Sequence, residues 1–148
     1  MNFTTRILGV SALFLTIFAS GCATQQATVS EKSLYERLGG KDAIVAVVDD
    51  FVGNVVADTR INKRFANSNA VRVKSQLVDF VCQGTGGPCK YVGNDMKTGH
   101  TGMNISEAEF NALVEDLVTT LDKFKVPARE KNVVLSLLGS MKGDIINR

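Results

Sequence analysis

The sequence predicts an all-α fold, and three observations carry that prediction. Apolar residues recur at three- and four-residue spacing through four long stretches, the period of a helix with one buried face. The chain holds only two prolines, Pro88 and Pro127, so long segments run without a helix breaker. Ser106-Glu-Ala-Glu109 is a capping box, in which a hydroxyl and a carboxylate each satisfy a free backbone amide at a helix start. At 148 residues, 45% apolar and 22% charged, the chain is long enough for one domain with a real core.

The elements follow in order. Met1 to Arg6 carries one positive charge, Ile7 to Phe18 is almost wholly apolar, and small residues lead to Cys22. This reads as a secretory signal peptide over residues 1–21, too short to sit comfortably as a membrane span. Its removal takes away only Arg6, so the side-chain balance falls from +2 to +1. Residues 22–32 read as a polar, aperiodic tether, and residues 33–148 as the folded domain. Ser33 to Leu38 is a helical turn or two, stopped by Gly39-Gly40. Asp42 is placed to cap the next helix, whose stripe is Ile44, Val47, Val48, Phe51, Val52 and Val55. Valine favours strands, but the stretch is too long for one and lacks alternation. Asp58 to Phe65 reads as a corner or a short helix. Ala70, Val73, Leu77, Phe80 and Val81 mark a helical face that ends at Gly84 to Pro88. Phe110, Leu113, Val114, Leu117, Val118, Leu121 and Phe124 follow the capping box. Pro127 opens the last helix, in the first turn where proline is tolerated, and its stripe runs Val134, Leu137, Leu138, Met141 and Ile145.

Chemistry concentrates in few residues. No run of Lys or Arg with interleaved aromatics occurs, so nucleic-acid binding has no electrostatic footprint. Gly84-Thr-Gly-Gly87 has neither the spacing nor the following acid of a dinucleotide site. No nucleophile with a recognisable motif accompanies the single histidine, which argues against a hydrolase. That histidine, His100, ends the stretch Tyr91-Val-Gly-Asn-Asp-Met-Lys-Thr-Gly-His100. A neutral imidazole is the commonest metal ligand among side chains, although a lone histidine is more often without a ligand. Of three cysteines, Cys82 and Cys89 flank a glycine-rich turn. In an exported protein they are expected to pair, pinning that corner. A zinc site from Cys82, Cys89 and His100 is the rival, with only three ligands and no C-x-x-C spacing.

Two resemblances sharpen this picture. Ala19-Ser-Gly-Cys22 resembles a bacterial lipobox, with alanine where leucine is usual. It implies a lipid on Cys22 and a place at the periplasmic face of a membrane, the outer one favoured because Ala23 rather than aspartate follows. The alternative is ordinary cleavage and release as a soluble periplasmic protein. The domain itself resembles the group I truncated haemoglobins. The likeness rests on Leu34-Tyr-Glu-Arg-Leu-Gly-Gly40, Phe51, Val55-Val-Ala-Asp58, Ile61, Phe65, Phe80, Gly86-Gly87, Gly93, Met96, His100, Leu117-Val-Thr-Thr-Leu121 and Ile145-Ile-Asn-Arg148, in order and at near-constant spacing.

The resemblance implies a two-over-two globin sandwich around haem b, with His100 as the proximal iron ligand. Phe51, Phe65, Phe80, Met96, Leu113 and Leu117 become candidates for an apolar haem cavity, though each could equally be plain core. Lys90 and Tyr91 stand where the family contacts the haem propionates. Where the family usually carries a distal tyrosine, this chain has Val52. Val73 and Leu77 replace polar distal residues, and Gln76 is the one polar candidate left, aimed either at the ligand or at solvent. With no second histidine, bis-histidine ligation is excluded. The implied function is reversible binding of O₂, or of NO or CO, as in oxygen binding or transport. An NO dioxygenase or other haem redox enzyme, needing an unknown electron donor, is the second reading. A haem-less interaction lipoprotein is the third.

Overall fold

A computed structural model of the chain describes residues 31–148. The signal peptide, Cys22 and the tether up to residue 30 lie outside them. Seven α-helices make up the described part: α1 (Leu34–Arg37), α2 (Gly40–Ala57), α3 (Ala70–Gly84), α4 (Met96–His100), α5 (Glu107–Lys123), α6 (Ala128–Ser140) and α7 (Lys142–Ile145). A 3₁₀ turn over Asn62–Arg64 forms the corner between α2 and α3. Among the described residues there is no strand, only an isolated bridge between Ile105 and Ile146. None of their helices is long and apolar enough to cross a membrane.

Local chemistry starts most of these helices. Ser33–Glu36 and Ser106–Glu109 form complete capping boxes on α1 and α5. The side chains of Asn69 and Asp95 accept the amides of Arg72 and Thr98 at the starts of α3 and α4. Asp42 is not the cap of α2. Gly39 and Gly40 both take left-handed angles, at φ 96° and 78°, so α2 begins at Gly40, directly after α1. Only glycine adopts such angles without strain. Asp42 falls in the first turn, where its charge still suits the positive end of the helix dipole. The last helix also departs from expectation. Pro127 stands just before it as N-cap, and the helix breaks at Met141, whose amide bonds Leu138 three residues back. Gly139 and Gly143 flank the break and weaken a continuous helix.

The long α2 is the hub, packed on α3, α5 and α1, while α5 packs on α6. Its valine-rich stripe buries Ile44, Val48 and Val52 with Val78 and Cys82 of α3. Val55 joins a second cluster with Ile61 and Ala112. Two polar pairs cross between elements. Asn54 of α2 donates to the fully buried Thr120 of α5 at 2.9 Å. Arg37 of α1 pairs at 3.0 Å with Glu130 of α6, which is buried and would be costly to leave unpaired. At the other end α4 rests on α7. There the chain terminus is stitched to the loop before α5, Asn104 donating to Arg148 and Asn147 to Ile105. This stitching fixes the segment that carries His100.

Candidate functional site

His100 is the last residue of α4, a helix of five residues. So short a helix is marginal in isolation, and its geometry is fixed from several directions. The Asp95 carboxylate accepts from the Thr98 amide at 2.8 Å and from its hydroxyl at 2.7 Å. These bonds hold the Asp95 carboxyl below the usual carboxylate range. Beyond the helix, Arg64 donates to the Met103 carbonyl at 2.7 Å and forks onto Glu109 at 2.7 and 3.0 Å. The imidazole Nδ1 lies 2.6 Å from the Met96 carbonyl oxygen, one turn back. A carbonyl only accepts, so Nδ1 carries the proton and donates. In the neutral ring Nε2 then keeps its lone pair. A metal-binding imidazole is oriented in this way, the second ring nitrogen being tied to a carbonyl or carboxylate.

His100 stands in the wall of a cavity of about 490 Å³, within the usual range for a small-molecule or cofactor site. Met96 lies beside it in the wall. Phe51 and Val52 enter from α2, and Phe65 from the corner. Val73, Gln76, Leu77 and Phe80 enter from α3, and Leu113 and Leu117 from α5. The lining is overwhelmingly hydrocarbon. Several of these residues, among them Phe51, Phe80, Leu113 and Leu117, are only half-buried, because their inner surfaces face the cavity instead of other side chains.

The sequence-predicted set is thus brought together almost whole. Val52 is buried among Val48, Val78 and Cys82 as well as touching the cavity. Gln76 is half-buried in the same wall. Tyr91 also lines it, its ring edge-on to Phe80 at 5.1 Å and its hydroxyl donating to the Asn94 carbonyl at 2.8 Å. Lys90 is the exception: it is exposed and outside the cavity wall. Cys82 and Cys89 are joined in a disulfide, with Cα atoms 5.7 Å apart. The sulfurs are therefore committed to each other, and no group of three metal-binding side chains occurs among the described residues. The zinc reading fails on both counts. The disulfide ties the end of α3 to the strip bearing Tyr91, whose amide donates to the Gln83 side chain at 2.8 Å. Gly87 passes so close to this corner that a Cβ there would lie 2.5 Å from the Tyr35 ring and 2.7 Å from the Cys82 sulfur. The spacing missed one stretch of wall. Val134, Leu138 and Met141 read from their period as core, yet they too line the cavity, as does Val126, which belongs to none of the stripes. Periodicity marks a buried face and says nothing of whether the face meets protein or a cavity.

The model of the bacterial-like globin family matches residues 33–147. A group 1 truncated haemoglobin of Tetrahymena pyriformis is 32% identical over 117 residues, covering 79% of this chain and 97% of that protein. The chain belongs to the group 1 truncated haemoglobins. The crystal structure of the Tetrahymena pyriformis truncated haemoglobin in its Fe(III) form superposes with a TM-score of 0.76 at 32% identity, over 79% of this chain and all of that one. The 2/2 haemoglobin of a Synechococcus strain, solved in the cyanomet state with covalently attached haem, superposes at 0.74 with 32% identity, over the same shares. The all-α, two-over-two architecture and membership of a haem-binding globin family follow. The site agrees with such a cofactor on its own chemistry. A single imidazole with a free Nε2, in the wall of an apolar cavity of cofactor size, suits a broad flat group held through one metal bond.

Proposed function

We propose that this truncated haemoglobin binds haem b through His100 Nε2 and uses it for reversible binding of a diatomic gas, O₂, NO or CO. The observation that carries the reading is the 2.6 Å contact between His100 Nδ1 and the Met96 carbonyl at the edge of the cavity. Haem iron, when bound, supplies the open coordination position such a ligand needs. The chain's own residues do the rest. The Met96 carbonyl orients the imidazole. Phe51, Val52, Leu77 and Phe80 exclude water. Tyr91, and Lys90 beside it in the chain, offer a phenol and a cation that would suit a haem carboxylate. Val52 and Leu77 bring no hydrogen-bond donor, so Gln76 is the only polar side chain among the proposed distal residues. The expected result is weak discrimination in favour of O₂, with CO and NO, which need a donor less, held well. We further propose that export and a lipid on Cys22 place the domain at the periplasmic face of a membrane. The Ala19-Ser-Gly-Cys22 pattern supports this.

An absorption spectrum tests the reading. The purified chain is mixed with haemin, reduced and exposed to CO. The expected result is stoichiometric uptake with a sharp Soret band that shifts on carbonylation, and loss of both in His100→Ala. Absence of stoichiometric uptake would overturn the proposal.

A further inference from the structure

The surface of α6 carries a feature that gas binding does not use. Arg129, Val133 and Leu137 follow at four-residue spacing, which aligns them on one side of the helix. Val133 is 38% exposed and Leu137 40% exposed, and Leu137 also belongs to the rim of the cavity. The chain enters the domain beside this stripe. Arg129 bonds Glu31 at 2.5 Å, while Arg37, paired with Glu130 of α6, also holds the Lys32 carbonyl. Glu31, the first described residue, is therefore held at the first turn of α6.

We propose that this stripe of α6 rests on a phospholipid surface. The inference depends on the lipid-anchor reading of Cys22. Nine residue steps separate Cys22 from Glu31, a reach of at most ~32 Å at 3.3–3.6 Å per residue. A domain of this size has a radius of gyration of roughly 13 Å. An anchor so short keeps the departure point within about one domain diameter of the bilayer, where local concentration is high. Arg129 is paired with Glu31, but exposed Lys125 lies four residues before it and exposed Lys32 follows Glu31 directly, and these two cations suit anionic headgroups. Val133 and Leu137 then face the acyl boundary, as apolar side chains do in interfacial helices. Docking in this pose sets the Leu137 rim of the cavity against lipid, where apolar gases dissolve more readily than in water.

The test uses the mature chain purified with its natural N-terminus and reconstituted in phosphatidylethanolamine–phosphatidylglycerol vesicles. Its mass first reports the lipid on Cys22. An environment-sensitive fluorophore is attached in Leu137→Cys and, separately, in Val92→Cys, a position 79% exposed on another part of the surface. Each variant is checked for an unchanged helical circular-dichroism spectrum, and Val133→Cys replaces Leu137→Cys if that variant does not fold. The expected result is a blue shift and several-fold stronger quenching by nitroxide lipids at 137 than at 92, reduced by Val133→Asp. A lipid-bearing chain with equal quenching at both positions overturns the docking and leaves the anchor standing. A chain without lipid overturns both.

Discussion

The two walls of the cavity are built by different means. The His100 side rests on directional bonds: the Asp95 cap, the Nδ1 contact with Met96, the fork of Arg64 onto Glu109 and the stitching of the chain terminus to Ile105. The α2–α3 side rests on hydrocarbon packing, with Ile44, Val48, Val52 and Val78 around a buried disulfide sulfur. The difference follows from what each wall must do. Presenting one ring nitrogen in a fixed direction needs hydrogen bonds, whose energy depends on angle. Excluding water needs only apolar area, which is indifferent to direction.

The comparison can be broken most severely at His100. His100→Gly is expected to abolish stoichiometric haem uptake, and added imidazole is expected to restore part of it, since the wall opposite does not depend on the ligand; absorption titration reads both. Val52→Tyr comes next. It gives the apolar wall a donor, worth roughly 1.5–3 kcal/mol toward a charged or strongly polarised partner. O₂ release should slow by about tenfold to a hundredfold, as read by stopped-flow displacement with CO. An unchanged rate would show that the valine wall is not the distal side. Third, Cys82→Ala with Cys89→Ala should cost roughly 2–3 kcal/mol by the chain-entropy account of so small a loop. Denaturant unfolding measures this, and the helical content should survive because the rest of the packing remains.

Two smaller effects concern single carboxyls, one on the directional side and one on α5. Glu109 is held down to about 2 by the Arg64 guanidinium and then by the Ser106 amide and hydroxyl. A carboxylate with a lowered folded value contributes stability that is whole above the ordinary carboxylate range and fades as pH falls through the folded value. Wild type should therefore lose stability between about pH 4.5 and pH 2, and Glu109→Gln should lose less over that window in acid-unfolding curves. Asp116 is the reverse case. Burial, then the charge of Asp58, pushes its carboxyl up. Its Oδ2 is buried with no hydrogen-bond partner among the described residues. The penalty is present at neutral pH, where the group is ionised, and shrinks on acidification. Asp116→Asn should raise thermal stability at pH 7 by under ~1 kcal/mol, with a smaller gain at pH 4.

The sequence by itself determined the long helices, since period and capping are local properties, but not the short α4 that carries His100. The stripes on α2, α3 and α5, the Ser106 box and the glycine corners were legible from residue type and spacing, whereas the pairing of Cys82 with Cys89 rested on the expectation of export and was decided by the structure. Most of the candidate site was legible too, because a resemblance spread over the whole domain aligned His100 with its surroundings. What spacing could not supply is where buried faces meet. Whether Leu117 or Val134 touches protein or a cavity depends on the distance between helices, which no single helix encodes. The start of α2 at Gly40 and the break at Met141 were likewise settled by chain reversal at glycines and by how α7 packs on α4. The orientation of the His100 ring was settled by a carbonyl one turn away, a contact that exists only once α4 has formed. Tertiary structure alone also set the Arg37–Glu130 and Asn54–Thr120 pairs. Their partners lie far apart in the chain, and their polar side chains look like ordinary surface until packing encloses them.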